Sequence, residues 1–281
     1  MAGLFTAVMS ALVKHIGQEF SVVQILFIRQ ICVMLIISPV VLKNYQTVFK
    51  SNHKRIYVLR TFFSSVAMIT GFTAVVYLPL AEATSISFVR TLFATLLAII
   101  FLKEVVGVRR WVGTLIGFVG VLIVVRPDTN NFNIYALMAI TSAFFVAANI
   151  IILRKVSQLD SSSTIMAYHS VLITLVMAGP ALYYWKTPSF DELLLMVVAG
   201  GLMSVSQYLT IQAFKFGEAA AIAPMEYLRL LFATAIGVYY FNEIPTIWTG
   251  VGALFIVSSA LYTMHRNRIR KQKIIADVPE T

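Results

Sequence analysis

The sequence predicts an all-α integral membrane protein of ten transmembrane helices, arranged as two inverted five-helix repeats with both termini cytoplasmic. Three observations predict it. Hydrophobic residues make up 59% of the 281 and charged residues only 12%, more apolar than one soluble core requires. The apolar residues fall in runs close to the ~20 residues that a helix needs to cross ~30 Å of hydrocarbon. Residues of the first half recur, in order, in the second.

With that ruler, spans fall near 2–16, 22–42, 56–78, 83–102, 111–125, 134–153, 162–185, 193–214, 219–240 and 247–264. The first is short, as for a segment that crosses a thin site or continues upstream. Orientation follows from Lys and Arg, which stay on the cytoplasmic side of span ends. One alternate set of connections holds Lys43, Lys50, Lys54, Arg55, Lys103, Arg109, Arg110, Arg154, Lys155, Lys215 and the tail's Arg266, Arg268, Arg270, Lys271 and Lys273. The opposite set holds Arg126 and Lys186, while Lys14, Arg29, Arg60, Arg90 and Arg229 fall within spans. Both termini are therefore expected in the cytoplasm, which requires an even number of spans.

The net charge of +10 punctuates loops instead of forming a basic segment with interleaved aromatics, so nucleic acid is not an expected partner. The bilayer is. The polybasic His265–Lys273 stretch serves as a topology signal and can touch anionic headgroups. Cys32 is the single cysteine and assembles neither a disulfide nor a zinc site. No basic n-region precedes the first apolar run, so no cleavable signal is expected. There is no two-His metal spacing, Gly-x-Ser-x-Gly, Asp-rich motif or phosphate-cradling glycine loop, so neither an enzyme nor a bound metal or cofactor is expected. Charge rings or a carbonyl-lined filter would mark a channel, and none is present.

The repeat is specific. Glu82-Ala83 matches Glu218-Ala219, and Arg90-Thr91-Leu92-Phe93-Ala94-Thr95 matches Arg229-Leu230-Leu231-Phe232-Ala233-Thr234. Each run closes on an acid, Glu104 or Glu243, and Trp111-Val112-Gly113 is echoed by Trp248-Thr249-Gly250, as Ser10-Ala11 is by Ser142-Ala143. Units of 1–127 and 128–264 follow, with a basic cytoplasmic tail over 265–281. Five spans per unit is odd, so the second unit enters the membrane upside down, the plan of carriers whose halves exchange conformations about a central site.

Pro79-Leu80-Ala81-Glu82-Ala83, Phe101-Leu102-Lys103-Glu104, and Arg110-Trp111 leading through Gly113, Gly117 and Gly120 to Arg126-Pro127 resemble the first unit of the drug/metabolite transporter superfamily in its ten-span EamA-domain branch. Ala223-Pro224-Met225-Glu226-Tyr227-Leu228-Arg229, Phe241-Asn242-Glu243-Ile244-Pro245 and Trp248 to Gly252 resemble the second. The resemblance covers nearly the whole chain and is nearest in motif to the S-adenosylmethionine carriers and their relatives. It implies a secondary carrier in a bacterial inner (cytoplasmic) membrane, with a small-molecule substrate in a central cavity between two five-helix bundles. One departure is Arg90, where the family pattern often has proline.

Ionisable residues near the bilayer centre cost roughly 2.5–3.5 kcal/mol on insertion scales, so they point to a partner or a wet cavity. Arg229 lies ~15 Å into the ninth span, with Glu226 one turn away on the same face, and Arg90 enters the fourth span from the opposite side to ~12 Å. One acid does not balance Arg90, Arg229 and Arg29, so the expected cargo carries an anionic group. Arg29 with Gln30, and Tyr168 with His169, occupy corresponding depths in the two halves. Asn149 and Tyr227 are candidate hydrogen-bond donors. Lys14 shares a face with Thr6 and Ser10, and Tyr208 shares one with Ser204 and Gln212, with Gln207 alongside. The expected function is alternating-access transport of a small charged or zwitterionic metabolite that is amino-acid-like, S-adenosylmethionine-like or a carboxylate. Proton coupling through Glu226, exchange and facilitated diffusion all fit. The alternatives are export of drugs or amphiphilic cations, and a non-transporting receptor or intramembrane enzyme on the same fold.

Overall fold

The computed structural model describes residues 2–43, 51–102, 108–125, 133–215 and 219–276. Its described residues form eleven helices: α1 (Ala2–Ile16), α2 (Val22–Lys43), α3 (Lys54–Tyr77), α4 (Leu80–Ser87), α5 (Arg90–Leu102), α6 (Val108–Val125), α7 (Ile134–Ser157), α8 (Ser162–Tyr183), α9 (Phe190–Lys215), α10 (Ala219–Phe241) and α11 (Ile247–Ala276). Five of them, α2, α3, α7, α8 and α9, are long and apolar enough to cross a membrane, and α1, α6, α10 and α11 carry shorter apolar runs.

Helix starts follow side-chain chemistry. Asn133 accepts from the Tyr135 N–H and Ser161 from the Thr164 N–H, each satisfying a donor that the first turn leaves open. Before α9, the Ser189 N–H donates to Glu192 Oε2 at 2.6 Å while Ser189 Oγ accepts from the Glu192 N–H, a reciprocal capping box.

Two elements differ from expectation. The fourth span is not one helix but two, α4 and α5, interrupted at Phe88–Val89. There the Phe88 and Val89 N–H groups return to Ser85 and Ile86 three residues back, the tighter 3₁₀ pattern. Ser85 donates to the Ala81 carbonyl and Ser87 to Thr84, and such back-bonding hydroxyls bend helices. The last helix also runs past the expected span end at 264, through Ala276.

Packing is pairwise and antiparallel in plan. α6 lies along α11, α3 along α7, and α2 along α8, while α1 is wedged between α9 and α10; α9 also meets α2, α8 meets α3, and α7 meets α4 and α5. The α6–α11 contact is built on glycine, since a Cβ on Gly120 would lie 2.9 Å from the Gly252 carbonyl oxygen and one on Gly252 would lie 2.6 Å from that of Gly120. Small residues let backbones approach where lipid supplies no hydrophobic drive between helices. Ser259 then donates to the Gly113 carbonyl across the same seam.

The bundle is apolar outside and polar within. Leu35, Ile36, Leu115, Phe118, Leu122, Leu175 and Leu254 are exposed, whereas Gln24, Arg29, Gln30, Arg60 and His169 are buried. That inversion suits hydrocarbon as solvent.

Candidate functional site

Arg29 on α2 is fully buried. Its Nη1 donates to Met9 Sδ at 3.3 Å and its guanidinium lies 4.6 Å from the centroid of the Phe72 ring, which leaves Nε and Nη2 without a hydrogen-bond partner among the described residues. Gly200 on α9 sets this arrangement, because a Cβ there would come within 3.1 Å of the Arg29 carbonyl oxygen and 2.7 Å of Cys32 Cβ. An orphaned buried donor costs about 1–3 kcal/mol, more when charged. A soft sulfur and a ring face offset only part of that.

Arg229 on α10 reaches the same helix from the other side. Its Nη2 lies 3.5 Å from Ser10 Oγ, and its enclosed Nε has no partner among the described residues. Met9 and Ser10 are neighbours on α1, so α1 carries one guanidinium on each of two adjacent faces. Ser10 Oγ in turn donates to the Thr6 carbonyl, and Thr6 Oγ1 meets Ser206 Oγ of α9 at 3.1 Å.

A second fully enclosed arginine is Arg60 on α3, 4% exposed. Its Nε donates to Asn149 Oδ1 of α7 at 3.2 Å, and Asn149 Nδ2 donates back to Ser64 Oγ at 2.5 Å. Arg60 Nη1 is buried without a partner among the described residues. His169 on α8, also buried, lies within electrostatic range of both Arg60 and Arg29. α2 and α8, which carry Arg29 and His169, pack against each other.

The other sequence candidates divide. Gln30 and Gln207 are buried, with both amide atoms unpartnered among the described residues. Tyr168 stacks on Tyr57, ring centroids 4.3 Å apart. Tyr208 is 47% exposed and accepts from Gln212 Nε2 at 2.7 Å. The inward stripe of α9 is instead Gly200, Ser204, Gln207 and Ile211, the three-and-four spacing of a helix face. Lys14 is engaged at the end of α1, where it pairs with Glu243 Oε1 at 2.5 Å and donates to the Leu78 carbonyl. Glu243 Oε2 accepts from the Leu80 N–H at 2.8 Å, so this acid caps α4 while holding α1. Arg90 is the first residue of α5, directly after the break. Glu226 and Tyr227 fall on α10, and their side chains lie outside the described residues.

Sequence reasoning missed Arg60. Its signal was present, since Arg60, Thr61, Ser64 and Ser65 form a polar stripe in an otherwise apolar run; all four are buried.

An apolar helix bundle that encloses cations and amides is a multi-pass integral membrane protein with a polar interior. The EamA-like transporter family model matches residues 1–126 and 133–264, and the chain belongs to that family of membrane transporters. It is therefore a transporter-family protein and not an enzyme. The chain is 30% identical to an S-adenosylmethionine uptake transporter of Rickettsia prowazekii over 91% of this chain and 87% of that one. It is 29% identical to a riboflavin transporter of Vibrio cholerae over 78% and 75%, and 29% identical to human solute carrier family 35 member G1 over 92% and 77%. A crystal structure of a protein with 15% sequence identity matches with a TM-score of 0.68 over 95% of this chain and 96% of its own, a likeness of fold.

Proposed function

We propose that this chain is a secondary carrier of a small metabolite bearing a carboxylate and a cationic group, of the S-adenosylmethionine type, in a bacterial inner membrane. The observation that carries the reading is the pair of guanidiniums on either side of α1, Arg29 fully buried and Arg229 partly buried, each with an enclosed, unpartnered N–H among the described residues. A carboxylate would satisfy both, by charge-assisted hydrogen bonds about twice as strong as neutral ones. Arg90 adds to the positive field. Glu226 meets the cationic part of the cargo or, between cycles, Arg229, and is the candidate for proton coupling; exchange and facilitated diffusion fit equally. Gln30, Gln207, Tyr168, His169, Asn149 and Tyr227 supply neutral hydrogen bonds.

The same charge weighs against the other cargoes. Riboflavin carries no carboxylate, and an amphiphilic organic cation that lacks one would leave the guanidinium N–H groups unsatisfied.

Alternating access is supported by the packing pattern. With α4 and α5 counted as one span, exchanging the first five spans for the second maps every major contact onto another: α1–α9 onto α7–α3, α1–α10 onto α7–α4/α5, and α2–α9 onto α8–α3, while α2–α8, α4–α10 and α6–α11 map onto themselves. This symmetry supports a reading of two inverted five-helix units, 1–127 and 128–264, in ten spans; the Lys and Arg distribution is what favours cytoplasmic termini and a cytoplasmic 265–281 tail.

Counterflow in reconstituted vesicles tests the reading. Labelled S-adenosylmethionine should exchange, Arg29→Gln and Arg229→Gln should abolish exchange in folded protein, and riboflavin should not compete. Binding without flux would make the chain a receptor; unaltered exchange by both variants would refute the assigned site.

A further inference from the structure

We infer that Arg60, with Asn149, Ser64 and His169, forms a second carboxylate-binding subsite at a different depth from Arg29 and Arg229. The inference rests on the carrier reading and adds a station to it.

Depth follows from helix geometry. α2 and α3 are successive and run in opposite directions, and Arg60 lies six residues from the start of α3, ~9 Å along its axis. Arg29 lies seven residues from the start of α2, at the other end of the bundle. The two guanidiniums are thus offset by roughly 10 Å along the helix axes. His169, seven residues into α8, shares the depth of Arg60 and lies in electrostatic range of both arginines.

The Arg60 site is built. Asn149 holds Nε at 3.2 Å and is itself held by Ser64 at 2.5 Å, so the planar fork is fixed from one side. Arg60 is 4% exposed and His169 6%, and Arg60 Nη1 and His169 Nδ1 have no partner among the described residues. The nearby carboxylate does not serve: Asp160 Oδ2 accepts from Ser51 Oγ and from Tyr57 OH, each at 2.8 Å. A guanidinium oriented by an amide, with a terminal nitrogen open, is arranged for an acceptor that is both charged and planar. A cargo carboxylate released from Arg29 would therefore find a second guanidinium further along, with His169 at that same depth.

Two measurements on the full-length chain in lipid nanodiscs decide it. The first needs no cargo. Asn149→Asp places a carboxylate on the anchored side of Arg60, and should raise the unfolding temperature; Arg60→Gln in the same chain should cancel the gain. A fall, or no change, on Asn149→Asp means that Arg60 is already balanced and overturns the inference. The second uses S-adenosylmethionine and its decarboxylated analogue as probes. The wild type should favour the carboxylated probe by roughly tenfold, the factor carried by one charge-assisted hydrogen bond. Arg60→Gln should reduce that preference while remaining monodisperse and folded, and an undiminished preference overturns the inference. A wild type that shows no preference refutes the proposed cargo instead, and leaves the first measurement to decide on Arg60.

Discussion

Lys14 and Glu243 offer a quantitative test of how the bundle is tied at one end. The pair stands at 2.5 Å with side chains 7% and 21% exposed, and it joins α1 to the segment after α10 and, through the Leu80 N–H, to the start of α4. Losing one partner of a buried pair costs about 3–5 kcal/mol, and the partial exposure of Glu243 places Lys14→Met at the low end, about 3 kcal/mol. Glu243→Gln keeps an oxygen for the Leu80 N–H but removes the charge, about 2 kcal/mol. With Lys14 already replaced, the neutral amide adds almost nothing, so the double variant should cost about 3 kcal/mol and the coupling energy should be about 2 kcal/mol. Reversible unfolding in mixed micelles, as a function of SDS mole fraction, measures all three. Additivity within about 0.5 kcal/mol would refute the clasp.

Three further outcomes follow from the packing. Gly252→Val should separate α6 from α11 and abolish stable folding, whereas Gly250→Val, whose Cβ meets nothing within 4 Å, should leave the unfolding midpoint nearly unchanged; one thermal-denaturation series compares them. Asn242 holds φ of 54° just past α10, so Asn242→Val should destabilise by about 1–2 kcal/mol and Asn242→Gly should not, read by the same unfolding assay. Gln207→Met should keep or raise stability by relieving an unpartnered buried amide yet weaken cargo binding, while Tyr208→Ala on the exposed face should leave binding unchanged; loss of binding in Tyr208→Ala would overturn the assignment of faces on α9.

The spans were legible because the bilayer fixes their length and their charged ends. Expected limits such as 22–42 and 134–153 fall within a turn or so of the helices observed over Val22–Lys43 and Ile134–Ser157. The break at Phe88–Val89 was not legible, since neither Gly nor Pro marks it and its cause is a set of hydroxyls that return to their own backbone. In-span polarity pointed to Arg29, Gln30 and His169, which are buried, and to Asn149, which holds Arg60, because a polar group in hydrocarbon needs a reason. It could not find the Lys14–Glu243 pair, whose partners are remote in sequence. Four-residue spacing alone did not say which of two adjacent stripes on α9 is the buried one, and Tyr208 lies on the exposed one.

The ties at the two ends of α3 bear on how such a bundle moves. Tyr57 near the start of α3 and Leu78 just past its end are separated by roughly 30 Å, so the two knots they join lie at opposite ends of the molecule. At one end Asp160 draws Ser51 and Tyr57 onto the α7–α8 turn. At the other, Lys14 and Glu243 join the ends of α1, α3 and α10, and nearby Gln24 exchanges two hydrogen bonds with the Lys186 backbone, at 2.6 and 3.0 Å. A carrier that opened both ends at once would leak, and one that opened neither would not turn over. The two ends are held by different chemistry, an ion pair at one and hydroxyls on a single carboxylate at the other, so they can be released by different local events. The arginines between them contribute no tie to either end, and under the proposed function the free energy that cargo would gain by satisfying Arg29 and Arg229 is available to shift the balance between the knots. Binding changes a conformational equilibrium only through such a difference in affinity.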